Sequence, residues 1–310
     1  PTRIRDLKLE GEDEERNGTG YKVDERLRDM DRDGIDVELI FPNKGLSMWA
    51  TQDPVFSQAM CRVWNDWSME MYGEERSRML PAAAIAPNDI DGAIAEIERV
   101  AKMGHRCLTL PNRPVWGSGD GSEVNYNLPH FDKLWAAIEE YNLPITLHIS
   151  TGKDPRGARG NGGAVINYAV HSLSQSLEPV ANFCSSGVLE RFPKLRLATI
   201  EAGIGWIPWA LTAMDEAYHK HHMWSFPKLS MLPSEHYRNS FYASFGEDPP
   251  GLALGSEFDL MENFMWANDY PHQEGTWPHS AAAIERTMGA LSDEDRASVL
   301  GGNAARFLNI

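Results

Sequence analysis

An α/β fold of the (β/α)₈ TIM-barrel class is predicted by three features of this chain. Strand-like and helix-like runs alternate almost throughout. At 310 residues and 42% hydrophobic content the chain can bury one large core. An acid or an imidazole closes several of the strand-like runs, and a barrel of about 250 residues gathers such ends at one mouth. A single domain over 1–310 is expected, with 1–20 as a polar surface segment. The rival architecture, an open dinucleotide-binding sheet, carries a GxGxxG turn after an early strand, and this chain has none.

The elements follow in chain order. The charged start, PTRIRDLKLEGEDEER, is neither core nor signal peptide. An amphipathic helix is predicted over 24–33, then a strand in VELIFP (37–42). The next helix, 53–76, sets Val55, Ala59, Val63, Trp67 and Met71 on one face, and LPAAAIA (80–86) returns as a strand. Helix 90–103 aligns Ile90, Ile94, Ile97 and Ala101 before CLTLPN (107–112). Helix 131–141 precedes ITLHIS (145–150), helix 172–192 precedes LRLATIEA (195–202), and helix 203–219 comes before FYASFG (241–246) and FMWAND (264–269). That makes seven strands where a closed barrel has eight, so either the barrel is open or its first strand precedes Pro1; the absence of an initiator methionine favours the latter.

Composition excludes several function classes. A net charge of −16 argues against binding a nucleic-acid backbone. Cys61, Cys107 and Cys184 lie far apart in apolar contexts, which fits buried thiols in a cytoplasmic protein better than a disulfide framework. No run of about 18 apolar residues offers a membrane span.

Three residues carry the chemistry. His148, Glu201 and Asp269 end the strands in ITLHIS, LRLATIEA and FMWAND, so a barrel brings them together. An imidazole and two carboxylates suit a divalent ion such as Zn²⁺ or Mn²⁺, and equally suit acid–base work without metal. Each has a plainer role available: a turn for Asp269, a core hydrogen bond for His148, a helix cap for Glu201. Their convergence favours function. His272, three residues beyond Asp269, is placed as a proton donor or partner to it, with Trp277 and His279 as candidate wall residues. In the loop TGKDPRGARGNGG, Arg156 and Arg159 have the fork geometry to clamp a substrate carboxylate, although such loops are as often solvated. Trp206, Trp209 and Trp224 are candidates for an aromatic wall or for packing. His219 and His221 are read as helix-end residues that meet the negative end of the dipole, and His222 as a candidate pocket residue.

The segments LPITLHIS, GVLERFPKLRLATIEAGIGWIPW, MWANDYPHQEGTWPHS and the terminal GGNAARFLNI, in that order, resemble the amidohydrolase-related metal-dependent hydrolases grouped with aminocarboxymuconate-semialdehyde, resorcylate and carboxyvanillate decarboxylases. The likeness spans roughly 20–310, with DYPH and its GTWP loop as the most specific part. It implies a (β/α)₈ barrel with His148 as the fifth-strand metal ligand and Asp269 as the eighth-strand aspartate. The family's first-strand ligand pair has no counterpart here, and Glu201 stands where many relatives have a histidine. The implied activity is hydrolysis or non-oxidative decarboxylation of a small carboxylated substrate, aromatic or derived from ring cleavage, by a homo-oligomer. Asp269, His272 and Glu201 are the expected catalytic groups. A metal-free lactonase and a non-catalytic ligand-binding barrel are the alternatives.

Overall fold

The computed structural model describes residues 11, 20–114, 124–152, 157–221, 224 and 226–310. All seven expected strand regions form short parallel strands. β1 (Glu38–Ile40) pairs with β2 (Met79–Pro81), after which the chain changes neighbour at Ala82, and β3 (Ala83–Ala84) pairs with β4 (Leu108–Leu110). β5 (Ile145–His148), β6 (Leu197–Ile200), β7 (Phe241–Phe245) and β8 (Phe264–Trp266) are added one after another, each parallel to the last. Sequential parallel order with helices between is the ordering of a (β/α) barrel. Among the described residues, β1 and β8 pair with one neighbour each and not with one another, so the ladder runs as an open arc.

The strands are legible as aliphatic runs because both faces are covered: every residue of β2 to β6 is buried. Helices start and stop where local chemistry dictates. Asp53 accepts hydrogen bonds from the amides of Val55 and Phe56 to open Pro54–Tyr72, and Asp89 caps Ile90–Met103, which Gly104 ends at φ 97°. The helix expected over 172–192 is interrupted at Gly187 and forms as Leu173–Ser185 and Val188–Arg191.

One helix presents an unexpected face. In Pro54–Tyr72 the apolar stripe of Val55, Ala59, Val63 and Trp67 is exposed, whereas Ser57, Cys61, Asn65, Ser68 and Tyr72 are buried. The reason is Asn65, whose amide donates to the Ala84 carbonyl (3.0 Å) and to Glu96 (2.8 Å), while its own oxygen accepts from the Ala84 amide (2.7 Å). Small side chains at 57, 61 and 68 let the helix come close enough for those bonds.

The main core lies between the strands and their helices. Phe183 meets Tyr126, Trp135 and Phe241 ring to ring at 5.7, 5.0 and 6.1 Å. Burial raises all three cysteine thiols, which keeps them protonated and unreactive at neutral pH. The terminal GGNAARF segment is pinned by fully buried Asn303, which donates to the carbonyls of Met261 (2.7 Å) and Phe264 (2.6 Å). Asn303→Ala leaves both carbonyls unsatisfied and is expected to cost about 1–3 kcal/mol, read as a lower urea midpoint at unchanged slope.

Candidate active site

The C-terminal ends of β5, β6 and β8 open into a cavity of about 2220 Å³ whose lining includes His148, Glu201, Asp269 and His272, and which continues between the free edges of β1 and β8. The chain turns into this cavity by an uncommon backbone device. Ser150, Glu201 and Asp269, just past β5, β6 and β8, adopt left-handed φ values of 60°, 62° and 57°. For residues other than glycine that conformation costs on the order of 1–3 kcal/mol, and it persists only where the surroundings impose it.

The surroundings do so at both carboxylates. The Glu201 amide donates to the Ser244 hydroxyl (3.0 Å), and Asp248 accepts from the amides of Ile204 (2.7 Å), Gly205 (2.8 Å) and Gly251 (2.9 Å). Those bonds draw the AGIGW turn against the loop after β7. A Cβ at Gly205 would come within 3.1 Å of the Asp248 carboxylate, so a larger residue there would push that carboxylate back by a few tenths of an ångström. At Asp269, the His272 amide donates to the Asp269 carbonyl (2.8 Å), and Gly275 packs so closely that a Cβ there would lie 2.5 Å from the Asn268 carbonyl oxygen.

The donor atoms converge. Glu201, Asp269, His272 and Glu274 each offer a ligand atom, all within 4.8 Å of one another. His148 joins them through Glu201: its Nε2 stands 3.1 Å from Oε2, while its Nδ1 lies 2.8 Å from the Ile149 carbonyl. The Ile149 carbonyl occupies the Nδ1 side, so Nε2 faces a carboxylate oxygen, a pairing that a shared proton or a divalent ion satisfies. A carbonyl partner on the far nitrogen is also the usual arrangement of a metal-binding histidine. The residues present therefore fit a divalent ion.

His272 is held from both sides, with Nδ1 3.1 Å from Asp269 Oδ1 and Nε2 2.9 Å from the side-chain amide of Asn43. The hydrogen bond to Asp269, aided by the fields of Asp269, Glu201 and Glu274, raises the imidazole to about 9 against the opposing effect of burial. The raised value favours the imidazolium at neutral pH, and that state requires the Asn43 amide to turn its oxygen toward Nε2 in place of the nitrogen that faces it in the structure. In the metal-free protein, stability from this group is present in full below about 6.5 and is lost as pH rises through about 9. An NMR titration of the His272 ring is expected to show that raised midpoint, and Asp269→Asn to lower it.

Other expected site residues are dispersed. Trp206 does line the cavity, its indole donating to the carbonyls of Ala202 and Gly203. Trp277 is buried but off the cavity wall, stacked under Arg32 and edge-on to Tyr270, because the GTWP loop folds back onto helix Val23–Asp33. Arg159 is exposed and does not line the cavity, whereas Arg156 and His222 lie outside the described residues. Trp209, Trp224, His219, His221 and His279 are exposed. Glu274, Asn43 and Tyr168 line the cavity without having been singled out from the sequence; burial and the site carboxylates raise the Tyr168 phenol.

Comparison with known proteins identifies the family and the fold. The amidohydrolase family model matches residues 15–310. A gamma-resorcylate decarboxylase of Polaromonas sp. strain JS666 is 20% identical over 294 residues, covering 93% of this chain and 87% of the relative. The crystal structure of 5-carboxyvanillate decarboxylase from Sphingomonas paucimobilis superposes with a TM-score of 0.75 at 27% identity, covering 92% of this chain and 82% of that one. A dihydroxybenzoic acid decarboxylase from Polaromonas sp. JS666, solved with manganese and 2-nitroresorcinol, gives a TM-score of 0.74 at 18% identity, covering 99% and 88%. With the model spanning nearly the whole sequence, the chain belongs to the amidohydrolase family.

Proposed function

We propose that this protein is a metal-dependent, non-oxidative decarboxylase of a small carboxylated phenol. The observation that carries the reading is the His148–Glu201 contact beside Asp269 and His272, a donor set turned inward at the mouth of a parallel barrel. The decarboxylase names of the relatives support that branch over hydrolysis. His148, Glu201 and Asp269 hold the ion, and the carboxylate-rich set favours Mn²⁺ over Zn²⁺. When bound, the ion supplies Lewis acidity to the substrate's carboxylate and phenolic oxygens.

The protein groups account for the proton. The His272 imidazolium, hydrogen-bonded through Nδ1 to Asp269 Oδ1, supplies a proton that Asp269 presents to the ring carbon bearing the carboxylate. The C–C bond then breaks, its electron pair returns to the ring, and CO₂ departs; solvent reprotonates the His272–Asp269 pair. Trp206 and Tyr168 give the cavity aromatic walls for the substrate ring. Of the two arginines in the loop after β5, Arg156 belongs to this reading as a carboxylate-binding candidate, and Arg159, which does not line the cavity, does not.

Homo-oligomerisation and a cytoplasmic location are further parts of the proposal. The first is supported by the exposed apolar residues Val165, Ile166 and Val170 after β5, the second by three buried free thiols. No described helix is long and apolar enough to cross a membrane.

A substrate panel tests the function. With Mn²⁺ supplied, hydroxybenzoates and carboxyvanillate are expected to lose CO₂, while esters, lactones and amides are left intact. Hydrolysis of the second set, with no CO₂ from the first, would reverse the choice of reaction.

A further inference from the structure

The left-handed peptide at Asp269 is gripped by a helix that borders the same cavity, with Arg26 and Asp33 among the lining residues. On helix Val23–Asp33, residues 26, 29 and 33 share one face. Asp33 accepts from the Ser280 amide (3.0 Å), the Ser280 hydroxyl (2.5 Å) and the Asn268 side-chain amide (3.3 Å). Asp29 accepts from the Tyr270 hydroxyl (2.5 Å), and the Arg26 guanidinium lies over the same ring at 4.9 Å. Asn268 in turn accepts from the Tyr270 amide through its side chain (3.2 Å) and from the Thr276 amide through its carbonyl (2.9 Å). The two residues flanking Asp269 are thereby tied, one each, to two carboxylates of a single helix.

We propose that Asp29 and Asp33 are positioning residues, which fix the residues on either side of Asp269 and so aim its carboxylate into the site. Docking of the helix does not need them. Met30, with Val23 and Leu27, already packs it against Ile40, Tyr72 and Met79. What the carboxylates add is directional: three donors on the loop of Asn268 and Ser280, and one on Tyr270, converge on rigid acceptors one helical turn apart. Such supporting contacts behind a metal ligand typically matter 10–100-fold in metal affinity or activity. The inference rests on Asp269 being a metal-binding carboxylate, as proposed above.

Two variants of the full chain test it: Asp33→Ala, and the milder Tyr270→Phe, which deletes only the hydroxyl that Asp29 holds. In the metal-free protein, the His272 and Thr276 amides, which donate to the Asp269 and Asn268 carbonyls, are expected to exchange with solvent about tenfold faster or more in each variant. Amides of β5 and helix Ile90–Met103 keep wild-type rates. Mn²⁺ affinity falls about 10–100-fold, and in an Asp269→Ala background the same substitutions cause no additional fall. Unchanged exchange at His272 and Thr276 in both variants overturns the proposal, as does an undiminished Mn²⁺ affinity in variants of a wild type that binds the ion. If wild-type protein takes up no Mn²⁺, the exchange rates still decide the positioning role, and the metal assignment alone fails.

Discussion

Asp269→Ala is expected to lower turnover of a carboxylated phenol by about 10²–10⁴-fold, the range associated with loss of a positioned acid–base group. The substitution removes the oxygen that holds His272 Nδ1 and, with it, one of the carboxylates grouped within 4.8 Å. Mn²⁺ content after dialysis against low metal is expected to fall together with activity. The fold should survive, because the side chain points into the cavity and contributes nothing to the aliphatic core. Circular dichroism and the urea midpoint read that directly; wild-type turnover in a variant that folds normally would reject Asp269 as a site residue.

The largest expected effect on stability comes from Arg26→Ala. Arg26 Nε lies 2.5 Å from Glu38 Oε2, and both side chains are 8% exposed, on the helix and the strand that border the cavity. Burial already raises the Glu38 carboxyl, against the pull of Arg26. Removing the guanidinium strands a buried carboxylate, for which about 3–5 kcal/mol is typical. The loss should shrink as pH is lowered, since Glu38 then takes up a proton and sheds its unpaired charge. Urea titrations at pH 7.5 and pH 5 separate the cases: an equal loss at both would show that the missing packing over Tyr270 matters more than the charge.

Much of the architecture was legible because parallel, doubly covered strands must be aliphatic, and an acid or histidine at their ends therefore stands out. His148, Glu201 and Asp269 were found in that way, and the structure brings all three to the rim of one cavity. Helix periodicity located Pro54–Tyr72 but not its buried face, because the determining contact is one Asn65 amide on the Ala84 backbone rather than an apolar stripe. Trp277 invited a pocket role by its position in GTWP, yet the loop folds back and buries it under Arg32. Asn43, separated by 229 residues from the imidazole it contacts, and Asp33, separated by 247 residues from Ser280, leave no local signal at all. Only the ordering of the strands around the barrel makes such pairs neighbours.

On the proposed function, this site cleaves a carbon–carbon bond with help from a bound divalent ion. The most direct measurement is to supply gamma-resorcylate labelled with ¹³C in its carboxyl group, in D₂O, with and without Mn²⁺. The expected products are ¹³CO₂ and a phenol carrying one deuterium at the vacated ring carbon, both abolished by chelation and restored by Mn²⁺. Labelled CO₂ released at the same rate by chelated protein would contradict the metal's role, and unchanged substrate under both conditions, with esters or lactones hydrolysed instead, would contradict the reaction.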